Sequence, residues 1–276
     1  MIIDSHQHFW NYNPIRDNWI DESMQVIRRD FLPKDLKPIL EAHHIDGCIA
    51  VQADQSEKET LFLLQCARKN PFVKGVIGWV DLKADNVGDR LAFFTENKSL
   101  KGIRHILQSE PTGFMGQKKF KEGISKLNKY GLAYDILVYG HQLTEAVQLV
   151  GEFPDQTFIL DHMGKPNLKK GDLSQWSREI QKLAKLENVY CKVSGMVTET
   201  DWNNRDKTDF RYVLDTVFES FGIERTLFGS DWPVCLLAAK YSEVYTLVDS
   251  YASQLSKEEK DMLYYKNAVK AYRLNL

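Results

Sequence analysis

The stretch GCIAVQADQSEKETLFLLQCARKNPFVKGVIGWV, residues 47–80, reads as a strand, a helix and a second strand. Gly47–Gln52 and Gly75–Val80 are short apolar runs, and Lys58–Lys69 between them has helical period and composition. Strands joined through a helix run parallel, because antiparallel neighbours need only a tight turn.

The same unit recurs in both directions along the chain. Further strands are predicted at Met1–Ser5, Gly102–Ile106, Ala133–Val138, Thr157–Leu160, Val189–Val193 and Thr226–Gly229. Helical segments fall at Lys34–His44, Val87–Lys98, Gln117–Tyr130, Leu143–Gly151, Leu173–Leu186 and Arg211–Phe221, with Tyr241–Gln254 and Lys257–Leu274 after the eighth strand. Crossovers of this kind are right-handed almost without exception, so eight of them curl toward closure. The expected architecture is an α/β single domain over residues 1–276, a (β/α)8 TIM barrel. The chain has 276 residues, close to the ~250 typical of that fold. An open doubly wound sheet fits less well, since no glycine-rich phosphate loop follows the first strand. The long segment Phe9–Pro33, with Trp10, Tyr12, Arg16 and Trp19, is expected to be a functional loop over the site.

Bulk composition narrows the function classes. The 36 basic and 38 acidic residues give a net charge of −2, which offers no field for nucleic acid or an anionic membrane. No apolar run approaches the ~18 residues that would span a bilayer. Cys48, Cys66, Cys191 and Cys235 are widely spaced and form no CxxC pair, as in a protein with reduced, buried thiols. The N-terminus reaches Asp4 without an apolar signal segment. A soluble, cytoplasmic protein is expected.

In a parallel barrel the chemistry comes from the C-terminal ends of the strands. There the sequence places His6 and His8, Arg104 and His105, His162, Lys192 and Asp231. Residues two apart in an extended chain share a face, so His6 and His8 project together, as a metal-ligand or substrate-orienting pair. Asp231 is the candidate general base for water attacking a carbonyl, and can equally ligate a metal. Arg104, His105 and Lys192 suit an oxygen gaining negative charge, or a sugar hydroxyl; the bland alternative is a set of rim salt bridges. Gln52, Asp81 and Asp135 also end strands and are weaker candidates for binding hydroxyls. His43, His44 and His141 read as capping or surface residues.

Taken together, these motifs resemble the amidohydrolase superfamily, and within it the amidohydrolase-2 branch that contains sugar lactonases of the L-fuconolactonase and L-rhamnonolactonase type. The resemblance runs through Asp4-Ser5-His6-Gln7-His8-Phe9-Trp10, Val51-Gln52-Ala53, Gly78-Trp79-Val80-Asp81, Lys101-Gly102-Ile103-Arg104-His105, Asp161-His162-Met163-Gly164-Lys165-Pro166, Lys192-Val193-Ser194-Gly195 and Phe228-Gly229-Ser230-Asp231-Trp232-Pro233. It implies a TIM barrel that hydrolyses a small cyclic ester to an aldonic acid, with a sugar lactone as its small-molecule partner and no nucleic acid or membrane partner. It implies His6, His8 and His162 at the hydrolytic centre, Asp231 as base, and Arg104 and His105 on the lactone. Trp19, Trp79, Lys192 and Gln52 are further candidates for substrate contacts, and Trp10, Trp19, Trp79 and Trp232 are candidates for stacking on a sugar ring. Binuclear members carry a bridging lysine or glutamate after strand four and a histidine after strand five; here those places hold Arg104-His105 and Asp135-Ile136-Leu137-Val138. That departure argues against two metals. One divalent ion, zinc by its ligand set, on His6, His8, His162 and Asp231 stands beside metal-free hydrolysis of an activated ester. The rival readings are a metal-dependent decarboxylase or other hydrolase on the same scaffold, and a sugar-acid binding protein.

Overall fold

The computed structural model describes residues 1–169, 171–204 and 208–276. Eight strands form one sheet in sequence order: β1 (Ile3–Gln7), β2 (Gly47–Val51), β3 (Val73–Gly78), β4 (Leu100–His105), β5 (Ala133–Ile136), β6 (Phe158–Leu160), β7 (Val189–Val193) and β8 (Thr226–Phe228). Every neighbouring pair is parallel. The crossover helices are α1 (Pro33–Ala42), α2 (Glu57–Lys69), α3 (Val87–Thr95), α4 (Lys118–Ile124), α5 (Leu143–Gly151), α6 (Ser174–Ala184) and α7 (Arg211–Phe221). After β8 come α8 (Tyr241–Ala252), α9 (Lys257–Asp261) and α10 (Asn267–Tyr272). This is the (β/α)8 barrel expected from the sequence. No helix among the described residues is long and apolar enough to cross a membrane.

Several predicted elements shift or divide. The segment Lys257–Leu274 is broken by a π-turn at Met262–Lys266, and Gln117–Tyr130 keeps only α4 and a short 3-10 turn at Asn128–Tyr130. Strand one begins and ends two residues later than its apolar run suggested, and its register against β2 slips between Asp4 and Gln7. Strict alternation would put Ile3 and His6, three apart, on opposite faces. The slip places both inside the barrel.

The interior is layered. Ile3, Ile49, Val51, Ile77, Ala133, Ile159, Tyr190 and Leu227 form an apolar lower layer, closed at the N-terminal end by Ala268, Ala271, Tyr272 and Leu274. A polar layer lies above it. Asp135 and Asp161 follow Ala133 and Ile159 by two residues, and Lys192 follows Tyr190 by two, so the pleat turns all three inward.

The two ends of the sheet meet at β1 and the chain just beyond β8. Asp231 N–H donates to His6 O at 2.8 Å, and His8 N–H to Trp232 O at 2.7 Å. Asp4, fully buried, fastens this seam from the outer face. Its carboxylate accepts from Ser230 N–H (2.9 Å), Ser230 Oγ (2.5 Å), His6 N–H (3.1 Å) and Tyr241 Oη (3.1 Å). Burial nevertheless pushes its pKa from 3.8 up to about 6. The folded state thus holds the proton more tightly than the unfolded chain, and the stability linked to it is present below pH 3.8 and lost as pH rises through about 6. Asparagine can satisfy the same cage, accepting the two N–H groups and donating to the two hydroxyls. We predict that Asp4→Asn gains stability relative to the parent across this window, by ~3 kcal/mol in all, and that the difference levels off at higher pH. Asp4→Ala, which strands several buried donors, should lose about 2–3 kcal/mol at every pH. Urea unfolding from pH 4 to pH 8 measures both.

Candidate active site

Three histidines and one aspartate converge at the C-terminal mouth. His6 Nε2 lies 3.2 Å from His8 Nε2. The Nε2 atoms of His8, His162 and His6 lie 3.4, 3.8 and 3.9 Å from the same Asp231 Oδ1. All four side chains are buried.

Each ring is aimed by what holds its other nitrogen. His8 Nδ1–H donates to Val51 O at 2.8 Å, His162 Nδ1 lies 3.0 Å from Ser194 Oγ, and His6 Nδ1 faces Asp161 Oδ1 at 3.2 Å. Such partners fix ring orientation and tautomer in metal and hydrolytic sites. His162 reaches its place through backbone strain. His162, Met163, Gly164 and Lys165 have φ of 53°, 55°, 68° and 50°, and each non-glycine residue there costs roughly 1–2 kcal/mol. Gly195 makes room: its φ is +63°, and a Cβ at that position would sit 2.4 Å from His162 Nδ1.

The electrostatics keep His6 and His162 neutral and the carboxylate charged. Burial, reinforced by the Lys192 ammonium, holds His6 well below its ordinary 6.5. Burial also lowers His162 to about 4. For Asp231 burial works the other way, but contacts with His162, His8 and His6 outweigh it and hold the carboxyl below the usual range. Val51 O fixes a proton on His8 Nδ1, and its Nε2 faces another nitrogen and an anionic oxygen. Such a cluster needs a proton or a cation at its centre. His6, His8 and Asp231 lie close enough together to share one ion, at separations of 3.2, 3.4 and 3.9 Å against the ~3.3 Å edge of a tetrahedron with metal–ligand bonds of about 2.0 Å. The donor set therefore fits one divalent ion.

Beneath the histidines lies the buried charge layer. Lys192 Nζ, fully buried, contacts Asp135 Oδ2 at 2.6 Å, Asp161 Oδ1 at 2.9 Å and His6 Nδ1 at 3.1 Å. Arg104 donates from Nη1 to Asp161 Oδ2 at 2.9 Å and from Nη2 to Gln52 O, and its Nη1 comes within 3.4 Å of His6 Nε2. Two cations and two carboxylates balance one another here. Tyr272 Oη donates to Asp135 Oδ2 at 2.8 Å, tying α10 to this layer.

Of the remaining residues singled out from the sequence, Gln52 is buried and donates to Arg104 O at 3.2 Å. His105 is paired with Glu110 at 2.7 Å, stacks on Phe114 and lies 3.4 Å from Trp79 Nε1, with Trp79 half-buried beside it. Trp19, 40% exposed, meets Trp10 edge-on, and Trp10 lies 6.3 Å from the His8 ring. Trp232 packs in the core against Phe31. His43 stacks on Tyr241 and His141 on Tyr139, outside the cluster. Asp161 and Ser194 were not selected from the sequence, although each follows an inward strand residue by two. Lys192 sits a layer below the mouth, where its ammonium neutralises carboxylates.

Removing that ammonium should leave buried carboxylates unpaired. Lys192→Met is expected to lose about 3–5 kcal/mol in urea unfolding. Adding Asp135→Asn to Lys192→Met should recover part of that loss, whereas additive effects would mean that the pair is not coupled.

The amidohydrolase family profile matches residues 3–274. An L-fucono-1,5-lactonase of Burkholderia multivorans is 40% identical over 284 aligned residues, covering 99% of this chain and 96% of that protein. An L-fucono-1,5-lactonase of Burkholderia ambifaria is 31% identical, covering 87% and 83%. Among solved structures, an amidohydrolase from Burkholderia multivorans with bound zinc superposes with a TM-score of 0.95 at 40% identity, over the full length of both chains.

Proposed function

This chain belongs to the amidohydrolase family, and on that premise we propose that it hydrolyses a sugar-derived lactone, of the L-fuconolactone or L-rhamnonolactone kind, to the open-chain aldonic acid. The observation that carries this reading is the convergence of three imidazole Nε2 atoms on Asp231 Oδ1 at the barrel mouth, in a chain that aligns along its length with a lactonase.

Asp231, ionised across the neutral range, accepts a proton from water as the water oxygen attacks the lactone carbonyl carbon. His8 and His162, turned toward Asp231 by Val51 O and Ser194 Oγ, flank the carboxylate. Arg104 Nη1, close to His6 Nε2, is a cationic donor at the floor of the site for the oxygen that gains charge. Collapse of the tetrahedral species breaks the bond from the acyl carbon to the ring oxygen. The proton on Asp231 then passes to the departing alkoxide, leaving a carboxylic acid and a hydroxyl. His6, His8, His162 and Asp231 would hold one divalent ion, zinc by its preference for imidazole and carboxylate in a tetrahedron. When bound, such an ion supplies Lewis-acid polarisation and a more acidic water.

A decarboxylase on the same scaffold is not favoured: the relatives with a named activity that are at least 30% identical to this chain are lactonases. Proton release from a panel of D- and L-aldonolactones tests the proposal. The parent should open at least one lactone rapidly, and Asp231→Asn should lower kcat/KM by about 10³-fold or more. Added zinc should raise the Tm of the chelator-treated parent and not that of His8→Ala. Failure to open any lactone, with zinc restored, would overturn the assignment.

A further inference from the structure

The motif Asp161-His162-Met163-Gly164-Lys165-Pro166 contains a charged residue that the hydrolytic centre does not use. Lys165 closes the left-handed turn that begins at His162, its N–H donating to His162 O at 2.9 Å. In a three-residue turn, positions i and i+3 eclipse one another. The strained turn that aims His162 at Asp231 therefore carries Lys165 on the same side. Strain of this kind persists where the surrounding structure enforces it, and it concentrates at ligand sites.

Across from Lys165 stands Glu199, on the loop that follows β7 and Ser194. Lys165 Nζ and Glu199 Oε1 are 3.6 Å apart, and each side chain is 17% exposed. Burial raises the Glu199 pKa against the opposing pull of Lys165. The Lys165 ammonium also lies 5.3 Å from the centroid of the Tyr139 ring. These residues line a cavity of about 600 Å³, together with His141, Trp176 and Thr198. Its volume suits a small ligand, and its walls come from the loop after β5, from α6, and from the β6 and β7 loops that carry His162 and Ser194.

We propose that Lys165 and Glu199 bind the ring hydroxyls of the lactone and set the enzyme's preference for a hydroxylated ring. This inference rests on the lactonase reading above. At 3.6 Å the two groups are too far apart to saturate one another. A sugar hydroxyl, which both accepts and donates, can accept from the ammonium while donating to the carboxylate. An ion pair that only fastened two rim loops would be indifferent to the substrate's hydroxyls.

The test compares Lys165→Met and Glu199→Gln with the parent on an aldono-1,5-lactone and on δ-valerolactone, which has the same ring without hydroxyls. On the hydroxylated lactone KM should rise about 10- to 100-fold, the effect of losing one charged hydrogen bond. The loss in kcat/KM should exceed that on δ-valerolactone by about 10-fold, and Lys165→Arg should recover part of it. Where the parent opens only the hydroxylated lactone, the KM effect and the arginine rescue decide. Equal losses on both lactones, a fall in kcat with KM unchanged, or no effect would overturn the assignment while leaving the lactonase reading in place. A parent inert toward every lactone would overturn both.

Discussion

The meeting of the first and last strands at Asp4 and Ser230 is the contact on which the site depends. His6 and His8 stand at one end of the chain and Asp231 near the other. Nothing local brings them together. The Asp4 carboxylate ties the Ser230 backbone and hydroxyl to the strand that carries both histidines, and the backbone bonds at His6 and His8 continue the closure past Asp231. The register slip in β1 does the rest, turning His6 inward above Ile3. Barrel closure and assembly of the cluster of three histidines with Asp231 are therefore one structural event.

Closure alone would leave a costly interior. A lysine, an arginine and two aspartates sit between the apolar floor and the histidines, away from water. Such groups are tolerated when their charges pair. Here Lys192 bridges Asp135 and Asp161, while Arg104 spans Asp161 and Gln52 O. Asp161 joins the two halves of the site: it pairs with both cations and faces the His6 ring nitrogen turned away from Asp231. The layer acts as a rigid support for ring geometry, in the way outer-shell partners orient the ligands of a metal site.

The alternation of short apolar runs with helical segments made the barrel legible, since period and order need no knowledge of the third dimension. His6, His8, His162 and Asp231 were legible because they fall where strands run out into loops. Three features were not. The slip at Asp4 depends on that carboxylate accepting the His6 N–H and Ser230 groups, a pairing 226 residues apart. Asp161 looked like part of a motif until the inward parity set by Ile159 gave it a place among buried cations. Lys192 resembled a rim cation because the sequence marks the end of a strand but not the depth at which a side chain stops. The π-turn at Met262–Lys266 lay hidden inside a segment of uniform helical composition.

On the function proposed above, closure of the barrel sets three imidazoles and Asp231 against a single lactone carbonyl. A crystal structure of the Asp231→Asn protein with an unopened aldonolactone tests it most directly. The carbonyl carbon is expected beside residue 231, over His6, His8 and His162, with the ring hydroxyls turned toward Lys165 and Glu199. A lactone bound with its carbonyl turned away from residue 231, at a separate place on the rim, would contradict it.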